Sequence, residues 1–169
     1  MNQDFNFDKL RTYINSHFGV EEGAMTFTQF KGGFSNLTFK FQGPKRSFVF
    51  RRAPFGEKIS TAHDMGRELR ILEALDKANY PRAPKPILFC EDPTIIGAPF
   101  FVMEFVDGLI LRNKLPEGMN ISSAEFQALS KAAIDCLLDL HSLELNHSGL
   151  IKLGKPEGYV KRQVEGWAG

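Results

Sequence analysis

One stretch of the chain combines glycines and arginines in an arrangement that could bind an anion. Residues 30–52 read FKGGFSNLTFKFQGPKRSFVFRR, a pattern typical of three strands joined by two turns. A tight bend at Gly32 and Gly33 lets backbone N–H groups approach an anion, because glycine has no Cβ in the way. Arg51 or Arg52, at the end of the third strand, could offer a cation to the same anion.

The alternation of side chains along these strands predicts one apolar face and one polar face. On the third strand Phe48 and Phe50 share a face, whereas Val49 and Arg51 share the opposite one. A cation beside a small apolar residue suits a nucleotide pocket. On the glycines alone, an ordinary hairpin turn with Arg51 as a solvated edge charge is the favoured interpretation, because a glycine pair is weak evidence.

A carboxylate borders the apolar face of the next predicted element, a helix. Glu68 lies beside the apolar stripe, where a carboxylate is costly to bury unless a cation pairs with it. Arg51 is the expected partner, and a surface pair with Arg67 or Arg70 is the alternative. We predict this helix over Ser60–Ala78, with Ser60 or Thr61 as its cap and Met65, Leu69, Leu72 and Leu75 as its stripe.

Five strands and an N-terminal helix are predicted to position these groups. The helix spans Asp4–Phe18 with Asn6 as its cap, and a turn at Glu91–Pro93 joins the last two strands. The final strand is almost continuously apolar, so both of its faces should be covered. The five strands are predicted at Met25–Phe30, Leu37–Phe41, Arg46–Arg52, Ile87–Cys90 and Ala98–Val106.

After Asp107 and Gly108 the pattern changes from strands to helices. A connector at Leu109–Ile121 leads to a long helix at Ser122–Glu144, which Ser122 and Glu125 open as a capping box. Its apolar face predicts the central helix of a second unit, and a further helix follows at Tyr159–Trp167. We therefore divide the chain into an N-terminal helix (1–19), a sheet lobe (20–106) and the start of a helical lobe (107–169).

Composition narrows the partners and the compartment. The formal net charge is +1, which gives no global electrostatic reason to bind nucleic acid or a membrane surface. No apolar run approaches the ~20 residues that a membrane-spanning helix needs. Cys90 and Cys136 stand far apart in apolar surroundings, so free thiols in a reducing cytoplasm are favoured over a disulfide or a metal site.

The motifs taken together resemble a known family across nearly the whole chain. In order they are FKGGFSNLTF, FVFRRAP, GRELRILEAL, APFFVMEFVDG, LLDLHSLE and GKPEGYVKRQVEGW. They resemble the aminoglycoside phosphotransferase-like branch of the protein-kinase-like fold, nearest to phosphotransferases related to the kinase-like domain of some acyl-CoA dehydrogenases. The resemblance implies an α+β fold, in which a kinase-like N-lobe with a five-stranded antiparallel sheet and one main helix precedes the first helices of an α-helical C-lobe.

The same resemblance implies an ATP site with Mg²⁺ as its cofactor. Arg51 stands where kinases place the strand-three lysine that pairs with phosphates and with a helix carboxylate, here Glu68. Val49 looks like the residue that packs on adenine. The phosphate-covering loop is matched by Gly32, Gly33, Phe34, Ser35 and Asn36, and the adenine-binding hinge by Met103, Glu104, Phe105 and Val106.

The family's catalytic loop has no counterpart in this sequence. It needs His-Gly-Asp followed by Asn, and then a later metal-binding Asp. Of the four histidines, only His63 is followed by an aspartate, and that pair lies at the start of the predicted first-lobe helix. The chain should therefore carry no catalytic residue and no magnesium ligand, and it should not transfer phosphate alone.

Two functions of different class follow from these observations. The first is the N-terminal part of an ATP-dependent phosphotransferase acting on the hydroxyl of a small molecule, with hydroxyacyl-CoA, choline-like amines, sugars and aminoglycosides all open as substrates. The alternative is a non-catalytic kinase-like module for nucleotide binding or protein interaction, which could form part of a longer acyl-CoA dehydrogenase chain.

Overall fold

The computed structural model describes residues 6–18, 25–30, 36–44, 46–54, 64–111, 115–116 and 118–168. Their fold divides into two compact units. The first takes its described residues from Met1–Glu73 and Pro84–Phe105, and the second from Ala74–Ala83 and Val106–Gly169.

The first unit is built on a five-stranded antiparallel sheet, which confirms the predicted fold class. The strands are β1 (Thr26–Gln29), β2 (Leu37–Gln42), β3 (Ser47–Arg52), β4 (Pro86–Cys90) and β5 (Phe100–Glu104). They lie in the order β1-β2-β3-β5-β4. This places β3 and β5 beside each other, so residues far apart in sequence share a row across the sheet.

One face of the sheet is covered by helix α1 (Phe7–Phe18). Leu10 and Ile14 of the helix are fully buried against a layer of sheet phenylalanines. Asn6 caps α1 as predicted, because its Oδ1 accepts a hydrogen bond from the Lys9 N–H at 2.9 Å. This face buries Phe39, Phe41, Phe48, Phe50, Phe100 and Val102.

The opposite face is partly covered by helix α2 (Met65–Lys77). Met65 and Leu69 pack against Phe101 of β5, as their place in the predicted apolar stripe requires. The predicted start of this helix at Ser60 is wrong, because α2 begins at Met65. Asp64 is the cap, and its Oδ1 accepts the Arg67 N–H at 2.8 Å. Ser60 and Thr61 lie outside the described residues.

A short helix, α3 (Pro93–Ile96), replaces the predicted simple turn between β4 and β5. Asp92 caps it by accepting the Thr94 N–H at 2.8 Å, which lowers the pKa of this carboxyl. Proline suits the first helical position because its missing N–H would have no helical partner there. Gly97 ends the helix with φ 81°, a conformation that glycine adopts without strain.

The second unit contains the long helix α4 (Ser123–His141), α5 (Leu145–Ser148), a 3₁₀ turn (Leu150–Leu153) and α6 (Tyr159–Ala168). The predicted capping box is confirmed, because Ser122 and Glu125 exchange hydrogen bonds at the start of α4. The predicted continuation of α4 to Glu144 is wrong. Ser142 ends the helix, and the Glu144 side chain caps α5 instead.

The segment that follows α2 is fastened to α4 by two polar contacts. The Tyr80 hydroxyl lies 3.1 Å from both the carbonyl oxygen and the thiol sulfur of Cys136, and this contact raises the pKa of Tyr80. Arg82 donates a hydrogen bond to Asp139 at 3.0 Å. Tyr80 and Cys136 are thus partners within the second unit. Cys90 and Cys136 are both free thiols, as predicted.

The apolar face of α4 is not buried by the described part of the chain. Phe126, Leu129 and Leu137 expose 47%, 43% and 47% of their surface, and Trp167 of α6 exposes 88%. Among the described helices, none is long and apolar enough to cross a membrane.

Two phenylalanines should differ sharply in what their truncation costs. Phe50→Ala removes a fully buried ring that meets Phe100 edge to face at 5.1 Å, so we expect a loss of about 3–5 kcal/mol in the free energy of unfolding. The control Phe126→Ala truncates an exposed ring and should cost about 0.5 kcal/mol. Urea unfolding followed by far-UV circular dichroism measures both, and similar costs would contradict the assignment of the core.

Candidate active site

Arg51 of β3 and Glu68 of α2 form an ion pair on the α2 side of the sheet. Arg51 Nε lies 2.6 Å from Glu68 Oε2, and Nη2 donates a hydrogen bond to Oε1 at 3.3 Å. Each side chain is 32% exposed, so the pair is partly withdrawn from water. The predicted pairing of Glu68 with Arg51 is confirmed. Arg70 pairs with Asp64 instead, at 3.5 Å.

The geometry of the pair is that of a close charge contact with one hydrogen bond. Although Arg51 Nε is close to the carboxylate, its N–H makes no hydrogen bond with the described residues. Arginine and a carboxylate can form two parallel hydrogen bonds, and this pair does not. The guanidinium is therefore held to the carboxylate by a close charge contact and one hydrogen bond.

Two side chains, one just before β2 and one near its start, complete the cluster around this pair. Asn36, only 6% exposed, donates from Nδ2 to Glu68 Oε1 at 2.6 Å. Thr38 lies opposite Arg51 in the strand register, and its hydroxyl accepts a hydrogen bond from Arg51 Nη1 at 3.4 Å. The sequence predicted Asn36 only as part of a loop and did not single out Thr38. Strand alternation had already placed Thr38 opposite the apolar face.

The neighbouring Arg52 belongs to the other face of the sheet and has a structural role. It is 2% exposed, and it donates to the carbonyl oxygens of Ala53 at 2.7 Å and Ile96 at 2.6 Å. Burial lowers the pKa of this guanidinium. Of the two arginines that the sequence left open as an anion partner, only Arg51 therefore faces α2.

The next row on the same sheet face contains Val49. It lies between Lys40 of β2 and Met103 of β5 in the strand register, and it is 7% exposed. Lys40 Nζ stands 4.1 Å from the centroid of the Phe105 ring, a distance typical of a cation–π contact. The sequence did not single out Lys40, because its contact with Phe105 depends on the register of three strands.

The residues predicted as a hinge occupy the end of β5 and the chain just after it. β5 ends at Glu104 rather than at Val106. The Glu104 N–H donates to the Lys85 carbonyl at 2.9 Å, so this amide is already engaged. Glu104 and Val106 are exposed, and Met103 and Phe105 are half-buried. Of the predicted phosphate-covering loop, Gly32, Gly33, Phe34 and Ser35 lie outside the described residues.

A five-stranded antiparallel sheet whose third strand pairs a cation with the adjoining helix defines the class of kinase-like phosphotransferase folds. A solved structure agrees with this class. It is a Ralstonia eutropha protein provisionally described as an aminoglycoside phosphotransferase, 33% identical, with a TM-score of 0.73. The match covers 97% of this chain and 46% of that one.

The family itself is shown by sequence. The family model described as "Phosphotransferase enzyme family" matches residues 26–169, and the chain belongs to this family. The predicted resemblance is thereby confirmed.

Curated relatives are much longer than this chain. Acyl-CoA dehydrogenase family member 11 of Homo sapiens is 39% identical over an alignment of 167 positions, and the match covers 96% of this chain and 21% of that protein. Acyl-CoA dehydrogenase family member 10 of Mus musculus is 35% identical over 161 residues, 95% of this chain and 15% of that protein. The chain thus spans about a fifth or less of these relatives.

Truncation of the two adjacent arginines should have different effects on stability. Arg52→Ala leaves the carbonyls of Ala53 and Ile96 without these donors, so we expect a loss of about 3 kcal/mol in the free energy of unfolding. Arg51→Ala breaks a partly exposed pair and should cost about 1 kcal/mol or less. Urea unfolding of both variants, followed by far-UV circular dichroism, measures these losses. A larger loss in the free energy of unfolding for Arg51→Ala than for Arg52→Ala would contradict the assignment.

Proposed function

We propose that the chain is the ATP-binding N-terminal part of a phosphotransferase that acts on the hydroxyl group of a small molecule. The observation that carries this proposal is the Arg51–Glu68 pair on a sheet face where Val49 occupies the next row. A cation next to a small apolar surface suits a phosphate chain joined to a flat base. Family membership supports the same reaction class.

In this proposal Arg51 binds phosphate oxygens of ATP, and Glu68 orients it. The planar guanidinium can contact a phosphate and a carboxylate together, which the point charge of lysine does less well. Partial burial strengthens the interaction, because charges interact more strongly where water is limited. The loop residues from Gly32 to Asn36 would add backbone N–H donors to the phosphates.

The adenine base is proposed to lie against Val49, beside the chain from Met103 to Val106. Because the Glu104 N–H already donates to the Lys85 carbonyl, that group is not proposed as an adenine contact. The Glu104 carbonyl and the backbone groups of Phe105 and Val106 take this role instead. Lys40 and Phe105, which are in contact over the central strand β3, would border the base.

Catalysis is assigned to polypeptide that this sequence does not contain. The sequence has no His-Gly-Asp followed by Asn, and the chain spans 46% of the solved phosphotransferase. Among the described residues, no group of three His, Cys, Asp or Glu side chains could hold a metal ion. We therefore assign the catalytic base and the ligands of Mg²⁺, which would neutralise phosphate charge, to the part of a full phosphotransferase that has no counterpart here.

The second candidate function is a kinase-like module within a longer acyl-CoA dehydrogenase chain. It is favoured by the curated relatives, which carry that name and of which this chain matches only a fraction. Such a module would bind nucleotide or another protein without transferring phosphate.

For the proposed phosphotransferase, the small hydroxylated substrate stays open among acyl-CoA derivatives, amines, sugars and aminoglycosides, since fold alone does not define it. A cytoplasmic location remains the prediction made from the two thiols.

Nucleotide titration tests the proposal directly. We expect the chain to bind ATP in isothermal titration calorimetry, and to bind adenosine more weakly because adenosine has no phosphates. Arg51→Ala should weaken ATP binding about tenfold or more, since a hydrogen bond between charged groups contributes about 1.5–3 kcal/mol. The ATP affinity of Arg51→Lys should fall between those of the unaltered chain and of Arg51→Ala, because lysine keeps the charge and loses the planar fork.

Arg67→Ala is the matched control, because Arg67 is an exposed arginine on the same helix as Glu68. It should leave ATP affinity within about twofold of the unaltered chain, as an exposed surface charge is screened by salt. Absence of ATP binding, or equal losses in Arg51→Ala and Arg67→Ala, would overturn the proposal. ADP release by the chain alone would contradict the assignment of catalysis to other polypeptide.

A further inference from the structure

We infer that Asn36 is a positioning residue that keeps Glu68 in place when Arg51 engages an anion. The inference rests on the proposed phosphate-binding role of Arg51. Its basis is a shared acceptor: Glu68 Oε1 receives a hydrogen bond from Asn36 Nδ2 at 2.6 Å and another from Arg51 Nη2 at 3.3 Å. The shorter of the two bonds comes from the amide, not from the cation.

The need for a second partner follows from what Arg51 must do. A guanidinium that turns towards a phosphate oxygen loosens its contact with Glu68, and a partly buried carboxylate without its partner is costly. A hydrogen bond to a charged group contributes about 1.5–3 kcal/mol, enough to hold the carboxylate at the site. Asn36 can donate that bond whether or not Arg51 engages an anion, because a neutral amide is attracted to an anion less strongly than a guanidinium is.

The surroundings of Asn36 suit a fixed support. Its side chain is buried, with 6% exposed, and it reaches from the beginning of β2 to a helix residue that follows 32 positions later. The other polar neighbour, Thr38, contacts Arg51 at 3.4 Å and only as an acceptor. Asn36 is therefore the residue of this cluster that can hold Glu68 independently of Arg51.

A double-mutant cycle in ATP affinity separates this role from a purely structural one. Asn36→Ala should weaken ATP binding about fivefold in the unaltered chain and less than about twofold in a Glu68→Ala background. Adenosine affinity should stay within about twofold, because adenosine does not engage Arg51. Gln42→Ala is the matched control, since Gln42 is an exposed amide at the other end of the same strand, and it should leave both affinities unchanged.

Asn36→Asp provides a second variant with a distinct signature. A carboxylate at this position repels Glu68, so ATP binding should weaken more than in Asn36→Ala. In a Glu68→Ala background, where the orientation of Arg51 is already lost, Asn36→Asp should weaken ATP binding by less than about a further twofold. If Asn36→Asp causes the same further loss in that background as in the unaltered chain, its effect does not depend on Glu68 and the positioning role is overturned. Glu68→Ala should fold, because alanine is the best helix former and this site is partly exposed.

The outcomes distinguish this inference from the proposed function. If the unaltered chain does not bind ATP, the proposed function fails. The hydrogen bond between Asn36 and Glu68 is then tested by urea unfolding without nucleotide, where the effects of Asn36→Ala and Glu68→Ala on the free energy of unfolding should be non-additive. If the chain binds ATP and Arg51→Ala weakens binding, but Asn36→Ala behaves like Gln42→Ala, only the positioning role is overturned. Additive effects in the unfolding cycle overturn it as well.

Discussion

The partly buried ion pair between Arg51 and Glu68 sets the main constraint on the first unit. Charges that leave water must be compensated by partners in good geometry, so β3 and α2 have to meet in one particular register. The sheet supplies this register because β3 lies between β2 and β5. The helix supplies it because Met65 and Leu69 pack on Phe101, which brings Glu68 to the edge of the same contact. Packing thus fixes the distance across which the electrostatics act.

Much of this arrangement was predictable from local patterns. Strand alternation placed Val49 and Arg51 on one face and Phe48 and Phe50 on the other, as the core on the α1 side of the sheet confirms. Helical periodicity placed Glu68 beside an apolar stripe, and the cost of burying a carboxylate then pointed to Arg51. Both placements follow from a fixed period, two residues in a strand and 3.6 in a helix.

The features that the sequence did not predict depend on contacts between distant segments or on competing caps. The helix α2 begins at Met65 because Asp64 accepts the Arg67 N–H, although Ser60 and Thr61 are equally good caps by residue type. Asn36 reads locally as a turn residue, since asparagine favours turns. Its bond to Glu68 requires the strand and the helix to be assembled first. The exposure of the α4 face likewise depends on what surrounds the helix, whereas periodicity reports only which side is apolar.

The two adjacent arginines of β3 explain how one strand can serve both stability and a site. Successive residues of a strand point to opposite faces, so Arg52 is buried on the α1 side and donates to backbone carbonyls, while Arg51 stays one-third exposed on the α2 side. A buried cation that is hydrogen-bonded to backbone carbonyls does not readily exchange them for another acceptor. A cation held by a single aligned hydrogen bond to a carboxylate can exchange that partner for an anion at lower cost. In the proposed phosphate site, Arg51 would have to be held less tightly than Arg52, and another residue would then have to hold Glu68. Asn36 has the geometry for that role.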